Sequence, residues 1–191
     1  MKITNLRVWE VEASHRGNWL FVVIDTDVGI QGVGEASQSG NDELVRVCLR
    51  QLGERIEGLD PTQPEVVWER AAQASAVFSG SSGRVGATAV SAIDQAMWDI
   101  AGKAADLPAW RLLGGRRRER GRCYANLNRG TTDRSPEGFA RQAQAAVAAG
   151  FRAVKATPFD EVRAAHQDRD DLWPDVEKGL ARLHATREAI G

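Results

Sequence analysis

The chain has 191 residues, 42% of them hydrophobic and 27% charged, the balance of a folded globular protein. A formal net charge of -1 leaves no global field to hold nucleic acid or an anionic membrane. Two cysteines far apart, Cys48 and Cys123, fit neither a disulfide framework nor a metal-ligand spacing, and both are expected as buried free thiols.

The first stretch, MKITNLRVWEV, alternates as a strand over Ile3 to Val11. Ile3, Leu6, Val8 and Val11 are apolar among polar neighbours, with Trp9 on the phase opposite Val8. It lacks the apolar core of a signal peptide, and no later run reaches the roughly 18 apolar residues of a membrane span. A cytoplasmic location is the expectation. Leu20 to Ile24 is a second strand, DTDVG from Asp25 to Gly29 a turn, and Ile30 to Ala36 the returning strand. A three-stranded antiparallel sheet follows. Gly29, Gly32 and Gly34 lie in the hairpin and its returning strand, not between a parallel strand and a helix, so they do not make a phosphate loop.

The period then becomes helical. Asn41 or Asp42 caps a helix from Glu43 to about Ile56, with Leu44, Val47, Cys48 and Leu52 as its stripe. Pro61 and Pro64 mark the next start, and a helix continues from Val66 to Ala76. SGSSGR, Ser79 to Arg84, breaks the pattern as a flexible segment. Across GATAVSAIDQAMWDIAGKAA, residues Ala89, Ile93, Ala96, Met97, Ile100 and Ala104 share one broad face. LPAWRLLGG starts a short helix at Pro108 and stops it at a glycine pair. GRRRERGR is a solvated basic loop and the expected domain boundary.

Beyond it, Cys123 to Leu127 is a short strand. Ser135, Pro136 and Glu137 open a helix that runs to Ala149 and stops at Gly150. Phe151 to Ala156 is a strand too apolar to be half solvated, apart from Arg152 and Lys155. A last helix is expected from Pro174 to Ile190. This order starts a parallel strand–helix series, and two such strands cannot enclose a core alone. By itself the spacing leaves Lys155 open between chemistry and a strand-end lysine whose stem covers apolar neighbours.

Four stretches in order carry a resemblance: GVGEAS, AVSAIDQAMWDIAGKAADLPAWRLLGG, CYANLNRG and GFRAVKATPFD. They resemble the enolase superfamily, in the branch of mandelate racemase and muconate lactonizing enzyme, over nearly the whole chain. The resemblance implies an α+β capping domain over residues 1–115. The first two strand–helix units of a modified TIM (β/α) barrel would then occupy 122–191, with the barrel incomplete. It implies abstraction of a proton next to a carboxylate, Mg²⁺ in the full-length parent, and functional groups at the carboxyl ends of barrel strands.

Lys155 matches the first lysine of the family's Lys-x-Lys motif, and Thr157 stands where the second would be. A threonine hydroxyl is too weak a base to take an α-proton unaided. The pattern is similar to the acid-sugar dehydratases, many of which use a later histidine. Lys155 is therefore the expected catalytic residue. His15, Arg16 and Trp19, in the loop Ser14 to Trp19, are the expected substrate-selecting residues. No metal ligand is expected here. Asp160, Glu161, Asp170 and Asp171 do not match the family ligands and read as solvated or substrate-edge charges, and His166 and His184 as helix-surface residues. The chain alone is expected to be inactive and to bind no cofactor specifically. A sugar acid or other carboxylate is the expected substrate of the full-length parent. A second copy or a barrel-completing polypeptide is the expected protein partner. Two other readings stay open: a racemase, epimerase or lactonizing enzyme, and a non-catalytic truncated or partner-completed polypeptide.

Overall fold

The computed structural model describes residues 1–14, 17–38, 40–78, 83–162 and 169–191. The chain divides into two compact units, Met1–Arg117 and Arg118–Gly191. None of the helices among the described residues is long and apolar enough to cross a membrane.

The first unit holds three antiparallel strands in the order β1 (Ile3–Ser14), β2 (Gly17–Thr26) and β3 (Gln31–Glu35). The expected turn at Asp25 to Gly29 closes the second hairpin, with Gly29 at φ 82°. Leu20, Val22 and Ile24 alternate into the core. Trp9 pairs with Phe21 and Val11 with Trp19 on the outward side. Val11 is two residues from Trp9, so a period of two puts both on the outer face.

Helices α1 (Asp42–Ile56), α2 (Pro64–Ala74) and α3 (Arg84–Ala104) follow, with a 3₁₀ turn at Ser75–Phe78 and a short α4 (Ala109–Leu112). Asn41 sits at the N-cap of α1 but makes no side-chain cap bond. The buried stripe of α1 is Val45, Cys48, Leu49, Leu52 and Ile56, while Leu44 and Val47 are exposed. Both stripes satisfy helical spacing, and the helix turns the one with the larger aliphatic set inward. Of the expected break at Ser79 to Arg84, residues 79–82 lie outside the described residues; Gly83 is the N-cap and Arg84 the first residue of α3. Ala89, Ile93, Ala96, Met97 and Ile100 are buried as the period required, whereas Ala104 is exposed because the helix ends there.

Helix α3 meets β3 through glycine. A Cβ on Gly34 would stand 1.9 Å from the Ala92 carbonyl oxygen, and one on Gly32 would stand 2.1 Å from that of Ala96. This contact brings a polar row of α3 to the outer edge of β3. Val33 N–H donates to Asp99 Oδ2 at 3.0 Å and Glu35 N–H to Gln95 Oε1 at 3.1 Å. Lys103 Nζ donates to the Gln31 carbonyl at 2.7 Å. The three helix residues recur every fourth position, so one stripe serves the whole edge.

In the second unit, β4 (Ala125–Asn126) pairs in parallel with β5 (Val154–Lys155). Helices α5 (Leu127–Gly130), α6 (Pro136–Ala148) and α7 (Arg169–Ile190) complete it. Both strands are shorter than expected. Leu127 opens a helical turn instead of ending β4, because Asn126 caps it by accepting from Asn128 N–H at 3.1 Å. Phe151 is 36% exposed, which corrects the expectation of a fully covered strand. Ser135 caps α6, accepting from Gly138 N–H at 3.1 Å, and Gly150 at φ 88° follows its end. Helix α7 starts at Arg169, with Pro174 inside it and not at its first residue. Leu127, Phe139, Ala143 and Ala146 are buried, with Ala125, Val154 and Ala156 packed against three of them.

Candidate functional site

Alternation along β4 and β5 decides which side chains face away from the helices. Ala125, Val154 and Ala156 turn toward the small core under α6. The intervening Tyr124, Asn126, Lys155 and Thr157 are exposed. Asn126 and Lys155 are direct register partners at the carboxyl ends of two parallel strands. The Lys155 ammonium lies 5.7 Å from the Tyr124 ring centroid. Among the described residues no carboxylate pairs with it. An ammonium displayed this way can meet an anionic group of a ligand.

The backbone just beyond Lys155 is held by side chains. Thr157 N–H donates to Asn128 Oδ1 at 2.7 Å, and Asn128 is buried. The Thr157 carbonyl accepts from Arg134 at 3.0 Å, and the Pro158 carbonyl accepts from Arg182 at 2.6 Å. Arg134 also pairs with Asp160, and its guanidinium lies 4.4 Å from the Phe139 ring centroid. Arg182 binds both oxygens of Glu161, at 2.6 and 2.7 Å, and donates to the Arg134 carbonyl at 2.6 Å. The Arg182 hydrogen bonds hold the Glu161 carboxyl down at about 2.

Asp160 and Glu161 are therefore not the solvated or substrate-edge charges expected from sequence; they anchor a loop. Asp170 and Asp171 lie in the first turn of α7. No group of three histidine, cysteine, aspartate or glutamate side chains among the described residues can hold a metal ion. The donors beside Lys155 therefore do not fit Mg²⁺, since their carboxylates are committed to guanidinium groups.

The other expected site residues fare differently. His15, Arg16 and His166 lie outside the described residues. Trp19 is in β2 and not in a loop, because the hairpin is longer than its apolar run suggested. It is 43% exposed and meets Phe21 edge to face, with centroids 6.4 Å apart. His184 is exposed on α7. Cys123 is exposed, which corrects the expected buried thiol, while Cys48 is buried. Burial pushes the Cys48 thiol up to about 11.

Sequence reasoning missed Asn128, Arg134 and Arg182. The available signal was Gly179, one helical turn before Arg182. An added Cβ there would meet the Phe159 ring at 2.0 Å, so the buried side of α7 is cut to fit this loop. A concavity of about 650 Å³ lies at the other, amino ends of the strands, lined by residues including Arg122, Cys123 and Phe151. Lys155 does not line it, and the strand chemistry favours the carboxyl ends.

The chain is similar along its whole length to D-galactonate dehydratases. It is 37% identical to that of Klebsiella pneumoniae over 194 residues and 30% identical to that of Variovorax paradoxus over 190 residues. All of the chain aligns with 46% of each, so it spans about half the length of these relatives. Its structure is similar to that of a putative dehydratase from Mesorhizobium loti, with a TM-score of 0.84 at 30% identity, covering 100% of this chain and 50% of that one. Residues 7–114 match the mandelate racemase/muconate lactonizing enzyme N-terminal domain. With the glycine-seated sheet and the long α3 inside that match, the chain belongs to the mandelate racemase/muconate lactonizing enzyme family of the enolase superfamily.

Proposed function

We propose that this chain is the N-terminal portion of an acid-sugar dehydratase. Residues 1–115 act as its capping domain, and 122–191 contribute the first strands and helices of its barrel. The observation that carries the reading is Lys155. It stands at the carboxyl end of a parallel strand, on the face turned from the helices, with no carboxylate partner among the described residues. Its role is to bind and neutralise negative charge on a sugar-acid carboxylate and on the anion formed as the α-proton leaves. Two unit charges about 4 Å apart attract by about 1 kcal/mol in water and about 4 kcal/mol near a protein surface. Trp19, His15 and Arg16 are proposed to select the substrate. Thr157 supplies no base, which favours dehydration with a base elsewhere over a two-base racemase. No step is assigned to Mg²⁺ through this chain, because its described residues offer no fitting cage. The 191-residue chain alone is proposed to be inactive on the same ground.

The test uses the complete gene product that carries this chain, with D-galactonate as the first substrate, chosen because the relatives are named for it. Lys155→Ala should lower turnover about 10²- to 10³-fold, the scale of a lost oxyanion donor. Thr157→Ala should leave exchange of the substrate α-proton with deuterated water largely intact. Unchanged turnover of several sugar acids in a folded Lys155→Ala protein would return Lys155 to a purely structural role.

A further inference from the structure

Strand β5 is two residues long, too short for its ladder alone to fix the direction of a flexible lysine at its end. The chain immediately after it compensates. Both backbone polar groups of Thr157 are taken by side chains, the N–H by Asn128 and the carbonyl by Arg134. The next carbonyl, of Pro158, is taken by Arg182. Arg182 and Arg134 are joined in turn, since Arg182 Nε donates to the Arg134 carbonyl at 2.6 Å. Arg182 is 6% exposed, so this is an interior clamp and not a surface ion pair. Its bidentate grip on Glu161 and the Arg134–Asp160 pair close the loop from residues 157 to 161 on the same two guanidinium groups.

Three elements thus converge on one short peptide: α5 through Asn128, the segment before α6 through Arg134, and α7 through Arg182. We infer that Asn128, Arg134 and Arg182 are positioning residues that hold the Thr157–Pro158 backbone and thereby set the place of the Lys155 ammonium beside Tyr124. The inference rests on the proposed role of Lys155 only for its catalytic consequence. The placement of Lys155 is a property of the chain itself. A guanidinium suits this work because its planar fork serves a carboxylate and backbone carbonyls at once, which a lysine ammonium cannot reproduce in the same geometry. Asn128 adds a fixed acceptor, itself tied by its amide to Asn126 Oδ1 at 2.9 Å, so the loops after both strands are locked to each other.

The experiment labels the lysines with ¹³C-methyl groups by reductive methylation and reads them by NMR in the 191-residue chain. There are four lysines, at 2, 103, 155 and 178, and Lys155→Arg assigns the signal. In the unaltered chain the Lys155 signal should carry the ring-current shift of Tyr124, and Tyr124→Leu should abolish that shift. Arg182→Met and Arg134→Met should each move the signal to the free methyl-lysine position, while amide protection across α6 persists. Arg182→Lys should not restore it. If Arg182→Met fails to fold, Arg134→Met decides. A Lys155 signal unmoved in a folded Arg134→Met chain overturns the inference.

In the complete gene product, the same variants should lower kcat by about 10- to 100-fold with little change in KM, the scale of a small misplacement of a reacting group. A moved signal together with full activity in Lys155→Ala would refute the function proposed for Lys155 and leave the clamp standing. A moved signal with unchanged kcat in the clamp variants, where Lys155→Ala is itself inactive, would overturn the catalytic part of the inference.

Discussion

Replacing Gly34 with alanine should push β3 off α3. The added Cβ would lie 1.9 Å from the Ala92 carbonyl oxygen, and the obstruction is helix backbone, which cannot rotate aside. Strand and helix must separate by more than about 1 Å in an interior packed without slack. Overpacking of this kind costs about 1–3 kcal/mol. The bonds from Val33 N–H to Asp99 and from Glu35 N–H to Gln95 flank the site and lengthen with it. Each contributes about 0.5–1.5 kcal/mol. Against this, alanine gains roughly 0.5–1 kcal/mol in a strand through the unfolded chain. The net destabilisation is about 2–3 kcal/mol, or roughly 8–12 °C in Tm for a unit spanning Met1–Arg117. Scanning calorimetry of the chain measures it, with amide exchange along α3 confirming which unit is affected. Gly29→Ala is the control: its φ of 82° penalises a side chain, but nothing lies within 4 Å. It should cost only about 1–2 kcal/mol. If Gly34→Ala melts no lower than Gly29→Ala, the close approach does not limit stability and the reasoning fails.

Acid should loosen the second unit through Glu161. Its folded value of about 2 lies below the ordinary 4.5, so its ionised form stabilises the fold above pH 4.5 and that contribution fades as pH falls toward 2. Its side chain is 31% exposed, which screens the pair and limits the effect to about 1–2 kcal/mol. Urea melts at pH 5 and pH 2.5 should show this extra loss in the unaltered chain and not in Glu161→Gln; equal losses would refute it. A thiol reagent at pH 8 should label exposed Cys123 promptly and buried Cys48 only on unfolding, and rapid labelling of both would show that the α1 core opens readily. Titration calorimetry of the 191-residue chain with Mg²⁺ should give no stoichiometric binding, and a micromolar site would overturn the assignment of Asp160 and Glu161 to guanidinium partners.

The elements most legible in the sequence are those whose signals are local. DTDVG between two apolar runs specified the β2–β3 hairpin, Ser135–Pro136 specified the start of α6, and the small apolar face of α3 read directly as its buried side. Where two answers share one local signal, tertiary packing chose. In α1, Leu44 and Val47 compete with Val45 and Leu49 for the interior, and the elements packed against the helix decide between them. The brevity of β4 was hidden for another reason: Asn126 looks like a strand residue until its side chain caps the following turn. At the candidate site, the family pattern drew attention to Lys155. The groups that hold its loop come from residues 128, 134 and 182, and no periodicity links positions so far apart in the chain. Glu161 was misjudged because its partner lies 21 residues on.

The row of Gln95, Asp99 and Lys103 along β3 has a consequence for solubility and self-recognition. A sheet's last strand ordinarily advertises a line of free amides and carbonyls on which another chain can grow, the first step toward fibrillar aggregation. Here those groups at Gln31, Val33 and Glu35 are answered from within by a helix of the same molecule. An incoming strand would have to displace three intramolecular partners before gaining any bond of its own. The same helix that fills the interior thus polices the border, and mutations that blunt its polar row would expose a template for growth.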